Sequence, residues 1–187
     1  MILMKYLIIF LFLCSIANSE EKKWRIEKVG DMTTVSINGN TQHGDVLMFW
    51  LKKYKGKCDV LGHTFTFYTA INNANIQKLK NKLVPIKIKN ETHNNGKFYA
   101  DVIYLSPFLL GHRLTFSIGQ YKVKEHIEYL SKYKLFDVTI VDNHEPLKEK
   151  NIINDFKAKE YFDIQNNSWK LTGLKQAILK GQRLCLQ

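Results

Sequence analysis

The chain reads as a mainly β protein, an antiparallel β-sandwich or distorted barrel with one or two short peripheral helices, at about residues 122–133 and 172–180. Three observations carry that reading. Apolar residues alternate with polar ones in about eight to ten short stretches, turn dipeptides separate them at regular spacing, and the period lengthens to that of a helix in few places.

Before the first strand comes a leader. Lys5 gives a basic start, Tyr6 to Cys14 is an almost unbroken apolar run, and Ala17 and Ser19 put small residues where a cleavage site wants them. Residues 1–19 read as a secretory signal peptide, leaving 20–187 as a single β-rich domain exported to the periplasm or the medium. An uncleaved anchor and lipidation at Cys14 are the alternatives. The run is short for a bilayer span, and Phe12-Leu13 stand where a lipid-attachment site has small residues. No later stretch is long and apolar enough for a membrane helix, so no transmembrane span is expected in the mature chain.

The elements follow in order. Trp24 and Ile26, then Val35 and Ile37, alternate with polar partners, and Gly30-Asp31 between them suits a hairpin turn. Asn38-Gly39 is the strongest turn dipeptide and leads to Val46-Leu47-Met48-Phe49-Trp50-Leu51, a continuous apolar run that fits a strand covered on both faces. Thr64 to Thr69 alternates with Phe65 and Phe67 on one side, a half-buried strand. Ile76, Leu79 and Leu83 have helical spacing, but Asn72, Asn73 and Asn75 suit a turn followed by one or two helical turns.

Val84, Ile86 and Ile88 then face one way, as do Phe98, Ala100, Val102 and Tyr104 in a strand that Pro107 ends. Leu114, Phe116 and Ile118 make another strand. Val123, Ile127 and Leu130 share a helical face, and Phe136, Val138 and Ile140 resume the strand period. Residues 143–159 are polar and read as a mobile loop. Leu171, Leu174 and Ile178 form the apolar face of a closing helix opened by Thr172 and ended by Gly181.

Composition bounds the function. Forty-five per cent apolar residues suffice for one full core, and the formal charge of +11 comes almost wholly from lysine. Such an excess favours anionic surfaces, but it also simply keeps a small exported protein soluble. Lys52, Lys53, Lys55 and Lys57 around Tyr54 form a cationic loop that is either a possible anion-binding tip or a solvated turn. Once the leader is gone, Cys58 and Cys185 remain, and an even pair in an oxidising compartment reads as one disulfide. Two buried thiols are the alternative.

Catalytic patterns are missing. The chain holds no Gly-x-Ser-x-Gly elbow, phosphate loop, dinucleotide fingerprint or zincin helix, so no catalytic residue and no cofactor is assigned. His43, His63, His93, His112, His126 and His144 are scattered with no pair at ligand spacing, so no metal is assigned. His43 with Asp45, and Asp142 with His144, could each share a strand face. Basic residues interleave with aromatics near Tyr54, but export argues against a nucleic-acid partner. Asn90-Glu91-Thr92 and Asn166-Asn167-Ser168 match the glycosylation sequon, relevant only in a eukaryote.

The order of pieces resembles the invasion-associated locus B family and similar periplasmic proteins associated with type VI secretion. The matching residues are Trp24, Cys58, Glu128-Tyr129-Leu130 before Phe136-Asp137-Val138-Thr139-Ile140, and Gly173-Leu174-Lys175-Gln176-Ala177-Ile178 with Cys185. The chain departs from that pattern in having one cysteine near its middle and more lysine. The resemblance implies a non-enzymatic, all-β envelope or surface protein engaged in secretion or host contact. The leader, the strand count and the missing catalytic constellation make the expected function a non-enzymatic exported binding or accessory protein of the cell envelope, secretion machinery or host interface, whose partner is an unknown protein or an anionic surface. Two other classes remain: a secreted hydrolase of uncharted type, which a deep pocket with close, convergent ionisable groups would signal, and a cationic binder of acidic glycan or lipid.

Overall fold

The computed structural model describes residues 23–41, 45–71, 74–89, 96–143 and 151–187. The expected leader, His43, His93, His144 and the Asn90 sequon lie outside them. The fold is mainly β. Among the described residues nine strands form one antiparallel sheet: β1 (Arg25–Val29), β2 (Met32–Asn38), β3 (Val46–Lys52), β4 (Val60–Thr69), β5 (Leu83–Ile88), β6 (Lys97–Phe108), β7 (Gly111–Lys122), β8 (Leu135–Ile140) and β9 (Asn166–Lys170). Three short helices among the same residues accompany it, α1 (Val123–Leu130), α2 (Ala158–Tyr161) and α3 (Leu174–Leu186), with one 3-10 segment at Ala74–Leu79.

Strand order is β1-β2-β3-β4-β7-β6-β5-β8-β9. In a flat sheet β4 and β9 would be far apart, yet the Trp169 ring on β9 lies 5.9 Å from Phe65 and 6.2 Å from Phe67 on β4. The sheet therefore curls around its own core, as the right-handed twist of strands favours. Among the described residues it is not closed by strand pairing. Instead the turn after β2 meets β9, where Asn40 N–H donates to Ser168 O at 2.8 Å and Thr41 N–H to Asn167 Oδ1 at 3.1 Å. Asn167 also donates to the buried carboxylate of Asp45, whose other oxygen accepts from Tyr68 N–H at 2.7 Å. Gly39 lies against this seam; a Cβ there would sit 2.7 Å from the Asn167 side chain.

The inner face is the core. Leu47, Phe49 and Leu51 of β3, Phe65 and Phe67 of β4, and Val84 and Ile86 of β5 are all fully buried, as their alternation predicts. Phe65 and Phe116 stack with centroids 5.2 Å apart. The outer face departs from expectation in places. Met48 and Trp50 on β3 are only half-covered, and Thr64 and Thr66 of β4 are buried, Thr66 Oγ1 accepting from Val46 N–H. Tyr104 is 59% exposed because the β6–β7 pairing slips between Val102 and Tyr104, which transfers the inward role to Leu105.

Pairing registers place the loops at two ends. Lys52 of β3, Val60 of β4, Lys122 of β7 and Leu135 of β8 lie at one end, with α1 and α3 beginning there. The other end carries the seam, the 3-10 segment with buried Ile76 and Leu79, and the β6–β7 hairpin, whose strand Pro107 does not terminate: it pairs with His112. Helix α3 lies on β1, β2 and β3 and runs through Gly181 to Leu186, further than expected. Gly181 does not cap it. Its missing side chain lets the helix settle on the sheet, since a Cβ there would be 2.6 Å from Val35 Cγ2. Thr172 does not open it either; Gly173, with φ of 79°, does. The stretch 151–159 is not a bare loop, for Ile152, Phe156 and Ala158 are buried and α2 follows.

Cys58, just before β4, and Cys185 in α3 form a disulfide with Cα atoms 6.3 Å apart. It spans a sequence separation of 127 residues, and closing a loop of that length removes unfolded-state entropy equivalent to roughly 5 kcal/mol. The bridge and the bond from Gln182 Nε2 to Cys58 O, 2.8 Å, pin α3 to the barrel end. No helix among the described residues is long and apolar enough to cross a membrane.

Candidate functional site

Among the described residues, the end of the barrel next to α1 is open. A cavity of about 520 Å³ enters it between the ends of β5 to β8 and the helix. Its floor and walls are the inward residues Ile88, Phe98, Ile118 and Phe136 from four strands, and α1 lends Tyr129 and Leu130. The rim is polar: Gln120, Lys122 and Glu125, of which Lys122 and Glu125 pair with each other at 3.4 Å.

Two histidines meet at the inner wall. His63 follows Leu61 on the inward face of β4, and His126 comes from the buried face of α1; His63 Nδ1 and His126 Nε2 are 2.9 Å apart, a hydrogen bond in which one ring donates. His63 has no exposed surface and is enclosed by the rings of Phe49, 4.5 Å away, and Phe136, 4.8 Å away. Its other nitrogen, Nε2, is buried with no partner among the described residues.

A bulge delivers the third ring. Between His63 and Thr64 the β4–β7 register slips by one, so that Phe116 faces inward opposite Phe65 and, past Gly119 with φ of 123°, Tyr121 faces inward opposite Leu61. Without that slip Tyr121 would sit on the outer face. It stacks on His126 with centroids 4.1 Å apart and planes 7° from parallel, and its hydroxyl donates to Ile118 O.

Burial sets the charge state. It pulls His126 down to about 4 and holds His63 well below its ordinary value, where the neighbouring His126 adds to the effect. Both imidazoles are thus neutral at pH 7. Burial raises the Tyr121 phenol above its usual value, so that it also stays neutral. The site is an apolar, ring-walled cavity with uncharged hydrogen-bonding groups at its inner wall.

The residues marked from the sequence fall elsewhere. Lys52, Lys53, Tyr54, Lys55 and Lys57 are all exposed in the β3–β4 turn, with Tyr54 71% exposed. Lys52 pairs with Asp31 at 2.9 Å, Lys53 donates to Leu186 O at 2.7 Å, and Lys55 lies over its neighbour Tyr54, so much of this charge is engaged within the chain. Among the described residues no group of three or more His, Cys, Asp or Glu is placed to hold a metal ion. Asp45 is a seam residue, and Asp142 accepts from Ala158 N–H and pairs with Lys157.

The sequence treats His63 and His126 as isolated because they are 63 positions apart. Two local signals point to them: extending the β4 alternation back from Phe65 puts His63 on the inner face, and His126 neighbours Ile127 on the apolar face of α1. The molecule is thus an open antiparallel barrel with a helix beside its mouth and a cavity in it. Neither a protein-family model nor a curated protein nor a solved structure matches the chain.

Proposed function

We propose that this is an exported, non-enzymatic binding protein, an accessory component of the cell envelope, secretion machinery or host interface, that holds a small apolar ligand in the mouth of its barrel. The observation that carries the reading is the lining of the cavity: aromatic and aliphatic side chains around a neutral histidine pair, with no Ser, Thr or Cys among the described residues that line it. Barrel mouths are recurrent ligand sites, and the volume falls within the roughly 300–1,000 Å³ of small-molecule pockets. The leader pattern and the Cys58–Cys185 bridge support export, since disulfides persist in oxidising compartments.

The histidine pair favours a second reading, the hydrolase, because two ionisable groups do converge in a pocket. Its chemistry is weaker. A base held at about 4 is protonated too reluctantly to accept a proton at neutral pH, and the carboxylate lining the cavity, Glu125, is tied to Lys122 at the rim.

Titration with the neutral fluorophore N-phenyl-1-naphthylamine separates the two. Saturable, one-site fluorescence enhancement is expected, and Ile118→Trp, which fills the cavity, should abolish it while leaving the far-ultraviolet circular dichroism unchanged. Absence of enhancement, together with turnover of p-nitrophenyl acetate that is lost in His126→Phe, would support the hydrolase instead.

A further inference from the structure

Two neutral imidazoles joined by one hydrogen bond hold two protons, one between the rings and one on an outer nitrogen. The fold treats the two outer positions differently. His63 Nε2 is buried with no partner among the described residues, in a ring packed between Phe49 and Phe136. His126 Nδ1 also has no partner among the described residues; both rings border the cavity, but only His126 keeps exposed surface, 7% against none for His63.

If His126 donated from Nε2, the second proton would sit on His63 Nε2 as a buried, unanswered N–H. If His63 donates from Nδ1, the sealed end is a bare lone pair and the second proton lies on His126 Nδ1. A buried donor left unpaired is the rarer and costlier defect. The pair therefore turns an N–H donor toward the cavity, and a ligand is needed to answer it.

Building on the binding role argued above, we infer that the mouth takes a neutral, ring-containing molecule with a carbonyl acceptor, of the aryl ketone or quinone class, its oxygen accepting from His126 Nδ1 and its rings among Phe98, Tyr129 and Phe136. Three features select that class. The volume suits two or three fused rings. The walls are largely aromatic, which favours offset or edge contacts with a flat ligand. A carboxylate would lose its hydration with no countercharge, because the nearby Lys122 is already paired with Glu125 at the rim.

Three probes of one shape test this by calorimetry on the wild-type protein at pH 7: 2-acetylnaphthalene, 2-ethylnaphthalene and 2-naphthoate. The ketone should bind about fivefold to tenfold more tightly than the hydrocarbon, the worth of one neutral hydrogen bond, and the carboxylate should bind least. His126→Phe, which keeps the stack on Tyr121, should bind ketone and hydrocarbon equally. Equal binding of the two by the wild type, preference for the carboxylate, or a ketone preference that survives His126→Phe overturns the assignment while the binding role stands. If none of the three binds, the hydrocarbon included, the binding role itself falls.

Discussion

Asp45 and His126 are both buried, and burial drives them in opposite directions. The Asp45 carboxyl is pushed up to about 7, against the lowering effect of the bonds from Tyr68 N–H and Asn167. From about pH 4 to 7 the folded chain therefore carries a proton on Asp45 that the unfolded chain lacks, and stability falls as pH rises through that window. His126 and His63 titrate low in the fold, His126 at about 4, against an ordinary value of 6.5. From about pH 4 to 6.5 the unfolded chain binds those two protons and the folded one does not, so their contribution rises with pH. Two protons against one leave a net rise of roughly 1.4 kcal/mol per pH unit between about pH 5 and 6, which levels off near pH 7 as the unfolded histidines and the folded Asp45 lose their protons together. Urea unfolding between pH 4.5 and 8 should show that rise and plateau. Asp45→Ala should lower stability at pH 7 by about 1–3 kcal/mol, because it strands the Tyr68 and Asn167 donors, and should steepen the rise between pH 5 and 6 by removing the opposing proton. A wild-type profile that is flat or falls between pH 5 and 6 would mean that the three groups are not buried as described.

At the scale of elements, α3 and the β4–β7 ladder show what periodicity predicts and what it misses. The apolar face Leu171, Leu174, Ile178 was legible because packing demands it, and those three residues are buried. Its end was not, because Gly181 in isolation looks like a helix stop, whereas here it is the point of closest approach to Val35 and Leu51. This gives a test whose sign differs from propensity. Alanine is favoured over glycine inside a helix by about 1 kcal/mol, yet Gly181→Ala should destabilise by about 1–3 kcal/mol through overpacking, as measured by denaturant midpoint. A gain in stability would show that α3 does not lie on the sheet as described. The strand period fails at the two register slips for a related reason. A bulge flips the parity of every residue beyond it, so that Tyr121 turns inward and Tyr104 outward, and only Gly119 hints at the first. Tyr121, which lies beyond a bulge, was therefore hidden from a period-two reading, while Ile88 and Phe136, on regular strands, were placed on the correct face.

At the scale of the whole molecule, the cavity is a consequence of an unequal closure. One end of the curled sheet is plugged by Ile76 and Leu79 and sealed by the Asp45–Asn167 seam, and at the other α3, held by the Cys58–Cys185 bridge, covers β1 to β3 and, among the described residues, leaves the mouth beside α1 open. The strand content and the pairing of two cysteines could be anticipated from composition and alternation. The meeting of His63 and His126 could not, since it depends on how far the sheet curls and where α1 crosses. The claim on which the choice of ligand rests is that this buried pair is neutral and shares one proton in a fixed sense. Long-range 15N–1H correlation spectra of the imidazoles at pH 7 read that directly. Both rings should be uncharged, each protonated on Nδ1, and should remain so down to about pH 5. An imidazolium pattern at pH 7, or two rings titrating independently near the ordinary histidine value of 6.5, would contradict it.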